Sequence, residues 1–421
     1  MEPRITPERF NQLALQLVAS GLCATRKDLE KLVCSTFSGL REQHRNLQAF
    51  AEWPRMISAA IGMLLSGTLV IQSSSGRLAA TPVGKAIAYS GLQPESGLFL
   101  LKYATGKAER LVSYLPAAER AGDIERLTFV MLSACLSCPE FRPGEETNPT
   151  RVLPYPLDKD VLFDADIYKA DLSEPIWQAD LMPINGTKLA CDWILGAQLR
   201  NLESSLPQLS AGVLRDMFRN LAWTLQGFAA VIWAASDVRV PTACRLEALR
   251  DRDDTARMLS RLPRFIRRLS LRVSEGLPDD VLWMLSIRLQ SSTFRLTRGE
   301  ILSLRSSGYN SPQKAMLGSG EADAVRLTAF AKAKPAPVAK ANWFRDACRE
   351  WKAEQRKRAS EWQTRRARRC PRGDLVSRFY EAKGTMFERN FEEVLAYLKI
   401  NFERLDDKSK TGAPDYLSAA I

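Results

Sequence analysis

Trp223, Arg219 and Arg215 are the residues of this chain whose types and spacing fit a definite chemistry. At 100° per residue, Leu214, Phe218, Leu221, Leu225, Phe228 and Ile232 form one apolar stripe of a helix. Trp223 falls on the opposite side, with Arg219 one turn before it and Arg215 two turns before it. An indole on a polar face stacks on a nucleobase while arginines in line with it hold phosphates. A second helix laid over that face would instead make Trp223 part of a core. The sequence leaves both environments open.

Other chemistries have little material. The single histidine, His44, sits in Arg41-Glu-Gln-His-Arg45 and reads as a solvated helix position, which leaves serine–histidine, cysteine–histidine and histidine–metal sites almost nothing to work with. Cys135 and Cys138 form one CxxC, but no second pair follows at zinc spacing, so buried helical thiols are expected. Gly84-Lys85 is not part of a phosphate loop, because Gly-x4-Gly-Lys-Ser/Thr spacing is absent there and elsewhere in the 421 residues. No Asp-Glu pair suited to magnesium accompanies it.

The length predicts two or three domains. A net charge of +12 favours a polyanionic partner, and also fits a generally basic protein. The charge is uneven: Lys340 to Gly373 carries twelve Lys/Arg against four Asp/Glu. Met1 to Arg9 is charged and lacks the apolar core of a signal peptide. Leu221 to Ala235, the most apolar segment, is too short for a bilayer, so no membrane partner is expected. Eight cysteines without a secretory signal read as reduced thiols, and the expected location is cytoplasmic.

The elements are mainly α. Residues 6–66 read as helices, including amphipathic Asp28–Phe37 and Met56–Leu65. Thr68–Gln72 alternates toward a strand, Ser73–Gly76 turns, and Arg77–Ala80 returns, so helices followed by a hairpin make a winged helix. Residues 96–258 are mostly helical around a Pro-rich insertion from Pro139 to Pro156. Ala331–Ala339 has linker composition. A basic helix follows, with Trp343, Trp351 and Trp362 near one face; its charges fit DNA phosphates, and equally a solvated helix pinned by its tryptophans.

These segments resemble the C-terminal region of superfamily-two DNA helicases of the archaeal fork-processing and polymerase-theta type. Thr36-Phe-Ser-Gly-Leu40 and Thr81-Pro-Val-Gly-Lys85 resemble that family's Thr-Phe-x-Gly-Leu and Thr-x-x-Gly-Lys/Arg patterns, in the same order around helix and hairpin. Gly212, Leu214, Arg215 and Trp223 match its ratchet-helix pattern, with Asp216 where the family has a second strand-contacting arginine and Arg219 as the substitute. Arg272–Pro278 and Leu304–Pro312 resemble the sequences that frame its helix-hairpin-helix, whose hairpin glycine would fall near Thr297, before Arg298. By this resemblance Arg215, Arg219, Trp223, Arg298 and Lys85 are the expected DNA contacts.

Phe387–Leu398 followed by Lys410-Thr-Gly-Ala-Pro-Asp-Tyr-Leu417 resembles the opening of a PD-(D/E)xK nuclease. That likeness makes Glu388 or Glu392 the helical acid and Asp415 the ligand of a divalent cation. The downstream Glu-x-Lys that metal-assisted hydrolysis needs is not in the sequence.

The expected organisation is mainly α: a winged helix over 1–95, a helical ratchet domain over 96–258, a degenerate helix-hairpin-helix over 259–322, a linker over 323–341, a basic helix over 342–373 and an incomplete nuclease-like segment over 374–421. The expected function is engagement of single-stranded or forked DNA by part of an ATP-dependent helicase–nuclease, the chain reading as a segment cut at both ends. ATPase lobes would lie on another chain or a missing N-terminal part. No cofactor is expected in this chain, and ATP and Mg are expected for the complete assembly. A standalone winged-helix regulator and a scaffold subunit of a defence or repair complex are the alternatives.

Overall fold

Two Thr-x-x-Gly sequences organise the beginning of the chain in the computed structural model, which describes residues 5, 7–115, 121–141, 171–172, 182–204, 210–288, 294–315, 320–332, 337–404 and 416–418. Helices α1 (Phe10–Ala19) and α2 (Arg26–Cys34) come first. The amphipathic run expected over Asp28–Phe37 stops at Cys34, because Thr36 caps a new helix, α3 (Phe37–Arg45), by accepting from the Gly39 amide at 3.2 Å. A Cβ on Gly39 would lie 2.4 Å from the Cys34 carbonyl oxygen, so this corner needs glycine.

Helices α4 (Leu47–Ala51) and α5 (Trp53–Ser66) lead to strands β1 (Val70–Gln72) and β2 (Leu78–Ala80). The strands pair antiparallel, with Val70 opposite Ala80 and Gln72 opposite Leu78. The Leu78 amide also donates to the Ala24 carbonyl at 2.7 Å. Thr81 repeats the first corner: its hydroxyl accepts from the Gly84 amide at 3.1 Å and starts α6 (Pro82–Ser90), while also donating to the Thr68 carbonyl at 2.9 Å. A Cβ on Gly84 would lie 2.0 Å from the Leu69 carbonyl oxygen. Both motifs are helix N-caps combined with a close backbone approach.

Helices α7 (Pro94–Gly106), α8 (Ala108–Ser113), α9 (Ala121–Leu136), α10 (Met182–Leu195), α11 (Leu199–Ser204), α12 (Ala211–Ala235), α13 (Asp253–Leu259) and α14 (Leu262–Glu275) complete the first of two compact units, which ends at Leu282. Most of the Pro139–Pro156 insertion lies outside the described residues. Its centre is α12, which packs on α6, α7, α9, α11 and α14. Trp193 of α10 stacks on Phe218 of α12 at 5.2 Å and donates to the Val273 carbonyl of α14 at 2.8 Å. Cys135 and Cys138 are fully buried thiols, at the end of α9 and in the turn after it, and burial pushes the Cys135 pKa up. His44 is exposed in the last turn of α3.

Buried Asp171 is the polar anchor of this unit. It accepts from Tyr114 Oη at 2.7 Å and Arg126 Nε at 2.6 Å, and also from Arg110. Burial alone would raise its pKa, but these three donors together hold it below the usual carboxylate range.

The second unit begins at Trp283 and contains α15 (Arg298–Ser306), α16 (Pro312–Ala315), α17 (Gly320–Ala329), α18 (Pro337–Ala367), α19 (Gly373–Glu381) and α20 (Thr385–Tyr397). Short strands β3 (Phe402–Arg404) and β4 (Tyr416–Ser418) pair antiparallel. The segment 323–341, read as a linker, carries most of α17 and the start of α18. Arg326, Phe330 and Lys340 are buried there, and Lys340 pairs with Glu300 at 2.8 Å. Of the Ala331–Ala339 run with linker composition, Pro337–Ala339 open α18, where proline is tolerated in the first turn, Ala331 and Lys332 form a turn, and 333–336 lie outside the described residues. The segment 259–322 falls on both sides of the division, with α14 in the first unit and α15 in the second. No described helix is long and apolar enough to cross a membrane.

Candidate nucleic-acid interface

Ser210 caps α12 by accepting from the Val213 amide at 3.3 Å. The predicted stripe Leu214, Phe218, Leu221, Leu225, Phe228 and Ile232 is buried throughout. Six residues of the helix are exposed: Gly212, Arg215, Arg219, Trp223, Gln226 and Trp233. Placed at 100° per residue they share one stripe roughly 80° wide. The faces away from the stripe are mostly buried.

Trp223 is neither core nor free-standing. It is 39% exposed. One edge of its indole rests on Gly91, whose added Cβ would lie 3.1 Å from the ring. Gly91 ends α6 at a φ of 76°, a conformation glycine adopts without strain. The corner after the hairpin therefore seats the tryptophan, and about two-fifths of its surface stays open.

Arg215 and Arg219 are exposed on the same stripe. Asp216 Oδ1 accepts from Arg219 Nη2 at 2.6 Å. Asp216 thus holds Arg219, the arginine expected to contact a strand, and lowers the positive charge of the stripe.

Trp233 was not anticipated from the sequence. It is 60% exposed, and the Arg267 guanidinium of α14 lies 5.8 Å from the centre of its ring. Trp233 stands ten residues beyond Trp223, about 15 Å along the axis at ~1.5 Å per residue. Arg261, Arg264 and Arg268 are also exposed on or beside α14, with Arg268 paired to Asp279. The region therefore offers two partly open indoles on one helix, Trp233 with Arg267 beside it and Trp223 one turn beyond Arg219.

The other expected contacts are on other elements. Lys85 is exposed in the first turn of α6. Arg298 is in the second unit, as the first residue of α15, where burial pulls its pKa down to about 10. Thr297, where the hairpin glycine would fall, is the residue before α15. It caps α15 in a reciprocal box with Glu300, accepting from the Glu300 amide and donating its own amide to that carboxylate at 2.7 Å.

Glu388 and Glu392 lie one turn apart on α20, and Arg404 of β3 joins them, with Nη2–Oε2 of Glu388 at 2.9 Å and Nη1–Oε1 of Glu392 at 3.3 Å. A guanidinium occupies the position between the acids that a cation would take. Asp415 lies outside the described residues; the strand β4 begins at the next residue, Tyr416. Among the described residues, no group of three or more His, Cys, Asp or Glu is arranged to hold a metal ion.

No family model matches this chain, and no curated protein matches it.

Proposed function

We propose that this chain is the DNA-engaging portion of an ATP-dependent helicase, gripping single-stranded or forked DNA along α12. ATP-driven motion would come from lobes outside these 421 residues, which carry no phosphate-loop motif. The observation that carries the reading is the exposed stripe of α12. A helix mostly buried on its other faces leaves open two tryptophans and two arginines, the side chains that stack on bases and pair with phosphates. In this reading the N-terminal helices and hairpin form a winged helix that seats Trp223, and the helices through α14 form a ratchet domain.

A groove-reading regulator is less well supported. The helix before the hairpin, α5, exposes Pro54, Arg55, Met56, Ala59, Gly62 and Ser66. Its one cation, Arg55, is paired with Glu52 at 3.2 Å. That face has few groups able to read base edges.

Fluorescence anisotropy with single-stranded, forked and duplex DNA over a salt series tests the proposal. Salt-sensitive binding that prefers unpaired strands, and is lost in a folded Arg215→Ala, Arg219→Ala, Trp223→Ala variant, is expected. Equal affinity of that variant and the parent would overturn the reading.

A further inference from the structure

We infer that the outer half of α18 is a second nucleic-acid contact, with Trp362 as its stacking platform. The site lies in the second unit and does not rest on the α12 reading.

The inner half of α18 is anchored. Trp343, Phe344, Ala347 and Cys348 are buried, and Trp351 packs on Trp283 at 5.3 Å and donates to Ser286 Oγ at 2.6 Å. Beyond it the anchoring stops until Ala367, which is buried at the end of the helix. Ten successive residues, Ala353 to Trp362, are exposed all round the helix. Two of the three tryptophans expected to pin this helix do so, and the third does not: Trp362 is 57% exposed.

Arg358, Arg365 and Arg366 share a face with Trp362, being four residues before it and three and four after it. Arg366 lies over the indole at 4.5 Å from the ring centre. From Lys352 to Arg372 there are nine Lys/Arg against two Glu. Glu354 neutralises Arg358 at 2.9 Å, while no acidic side chain among the described residues pairs with Arg356, Lys357, Arg365, Arg368 or Arg369. A row of unneutralised cations on a solvated helix is maintained against mutual repulsion, and a polyanion relieves it.

The composition chooses among polyanions. A membrane surface requires an apolar face to enter the headgroup region. Between Lys352 and Ala367 the side chains that are not polar are alanines and Trp362 alone. An acidic protein would satisfy the charges but gives no use for an open indole held between guanidiniums. An unpaired nucleic-acid strand uses both, its phosphates on the arginines and a base on the ring.

The test is anisotropy on the full chain with a single-stranded oligonucleotide and the matching duplex, comparing Arg365→Ala, Arg366→Ala, Arg369→Ala and, separately, Trp362→Ala. Alanine preserves helix propensity, and circular dichroism confirms folding. The triple variant should flatten the slope of log affinity against log salt by about 2, at ~0.7 per phosphate contact on single strands. Trp362→Ala should weaken single-strand binding several-fold and duplex binding less. Unchanged slope and affinity in folded variants would overturn the inference, as would polyglutamate or anionic vesicles displacing the oligonucleotide as effectively as unlabelled DNA does. The α12 residues are intact in these variants, so failure here leaves the α12 reading standing, and failure of the α12 variant leaves this one standing.

Discussion

Asp216→Asn should tighten binding to single-stranded DNA. Asp216 sits on the flank of the exposed stripe of α12 and holds Arg219 at 2.6 Å, with side chains 32% and 76% exposed. Two terms add. An exposed pair of this kind is worth about 0.2–1 kcal/mol, which Arg219 would redirect to a phosphate. The carboxylate also repels that phosphate. At roughly 8 Å, one helical turn plus an ion-pair distance, the repulsion in water is about 0.5 kcal/mol, and screening at physiological salt reduces it to about 0.2. The sum is about 0.5–1 kcal/mol, or roughly two- to fivefold in Kd. The slope of log affinity against log salt should steepen by up to ~0.7, one further phosphate contact. Stability should move little, because the pair is solvated. Anisotropy from about 50 to 200 mM salt, with thermal unfolding as control, measures both. Unchanged or weaker binding by a folded Asp216→Asn protein would refute the reasoning that this stripe faces phosphates.

Three further outcomes follow from the same structure. Trp223→Ala should cost about 1–3 kcal/mol in single-strand affinity while Trp223→Phe retains much of it; melting with no change in affinity of the folded fraction would make Trp223 a packing residue only. Asp171, held low by Tyr114, Arg110 and Arg126, contributes stability that is present above the unfolded carboxylate pKa and lost as pH falls through its lower folded value; acid titration should show destabilisation beginning below about pH 4, and Asp171→Asn should lose about 1–3 kcal/mol at neutral pH, because one acceptor oxygen remains and the two arginines are partly solvated. Because Arg404 already bridges Glu388 and Glu392, magnesium or manganese should bind weakly and yield no plasmid nicking, and Asp415→Ala should change neither; Asp415-dependent nicking would contradict this.

Helical periodicity made the α12 stripe legible, because burying Leu214 through Ile232 leaves the opposite side open whatever the partners are. The same arithmetic contains Trp233, which lies eighteen residues, about five turns, beyond Arg215 and so at the same angle; it is missed when the apolar stripe is followed to Ile232 but the opposite face only to Trp223. Arg267 was not legible, since its place beside Trp233 depends on how α14 packs on α12. The seating of Trp223 on Gly91 likewise needs α6 and α12 together. Thr36-x-x-Gly39 and Thr81-x-x-Gly84 were conspicuous in the sequence, and the structure gives each a local cause in a helix cap and a carbonyl that leaves no room for a Cβ. These motifs therefore speak for a fold more than for a ligand. The expected linker range 323–341 is wider than its linker composition: residues up to Ala329 and from Pro337 are helical, and Phe330 and Lys340 are buried, which composition does not encode. The Arg404 bridge depends on β3 folding back along α20, which spacing alone does not encode.

Photo-crosslinking tests the central claim most directly. A single-stranded oligonucleotide carrying 5-iodouridine is bound to the full chain, irradiated, and the adducts are located by peptide mass spectrometry. A base stacked on the stripe of α12 places its adduct on Trp223 or Trp233. Saturated binding that leaves both tryptophans unmodified would contradict the account.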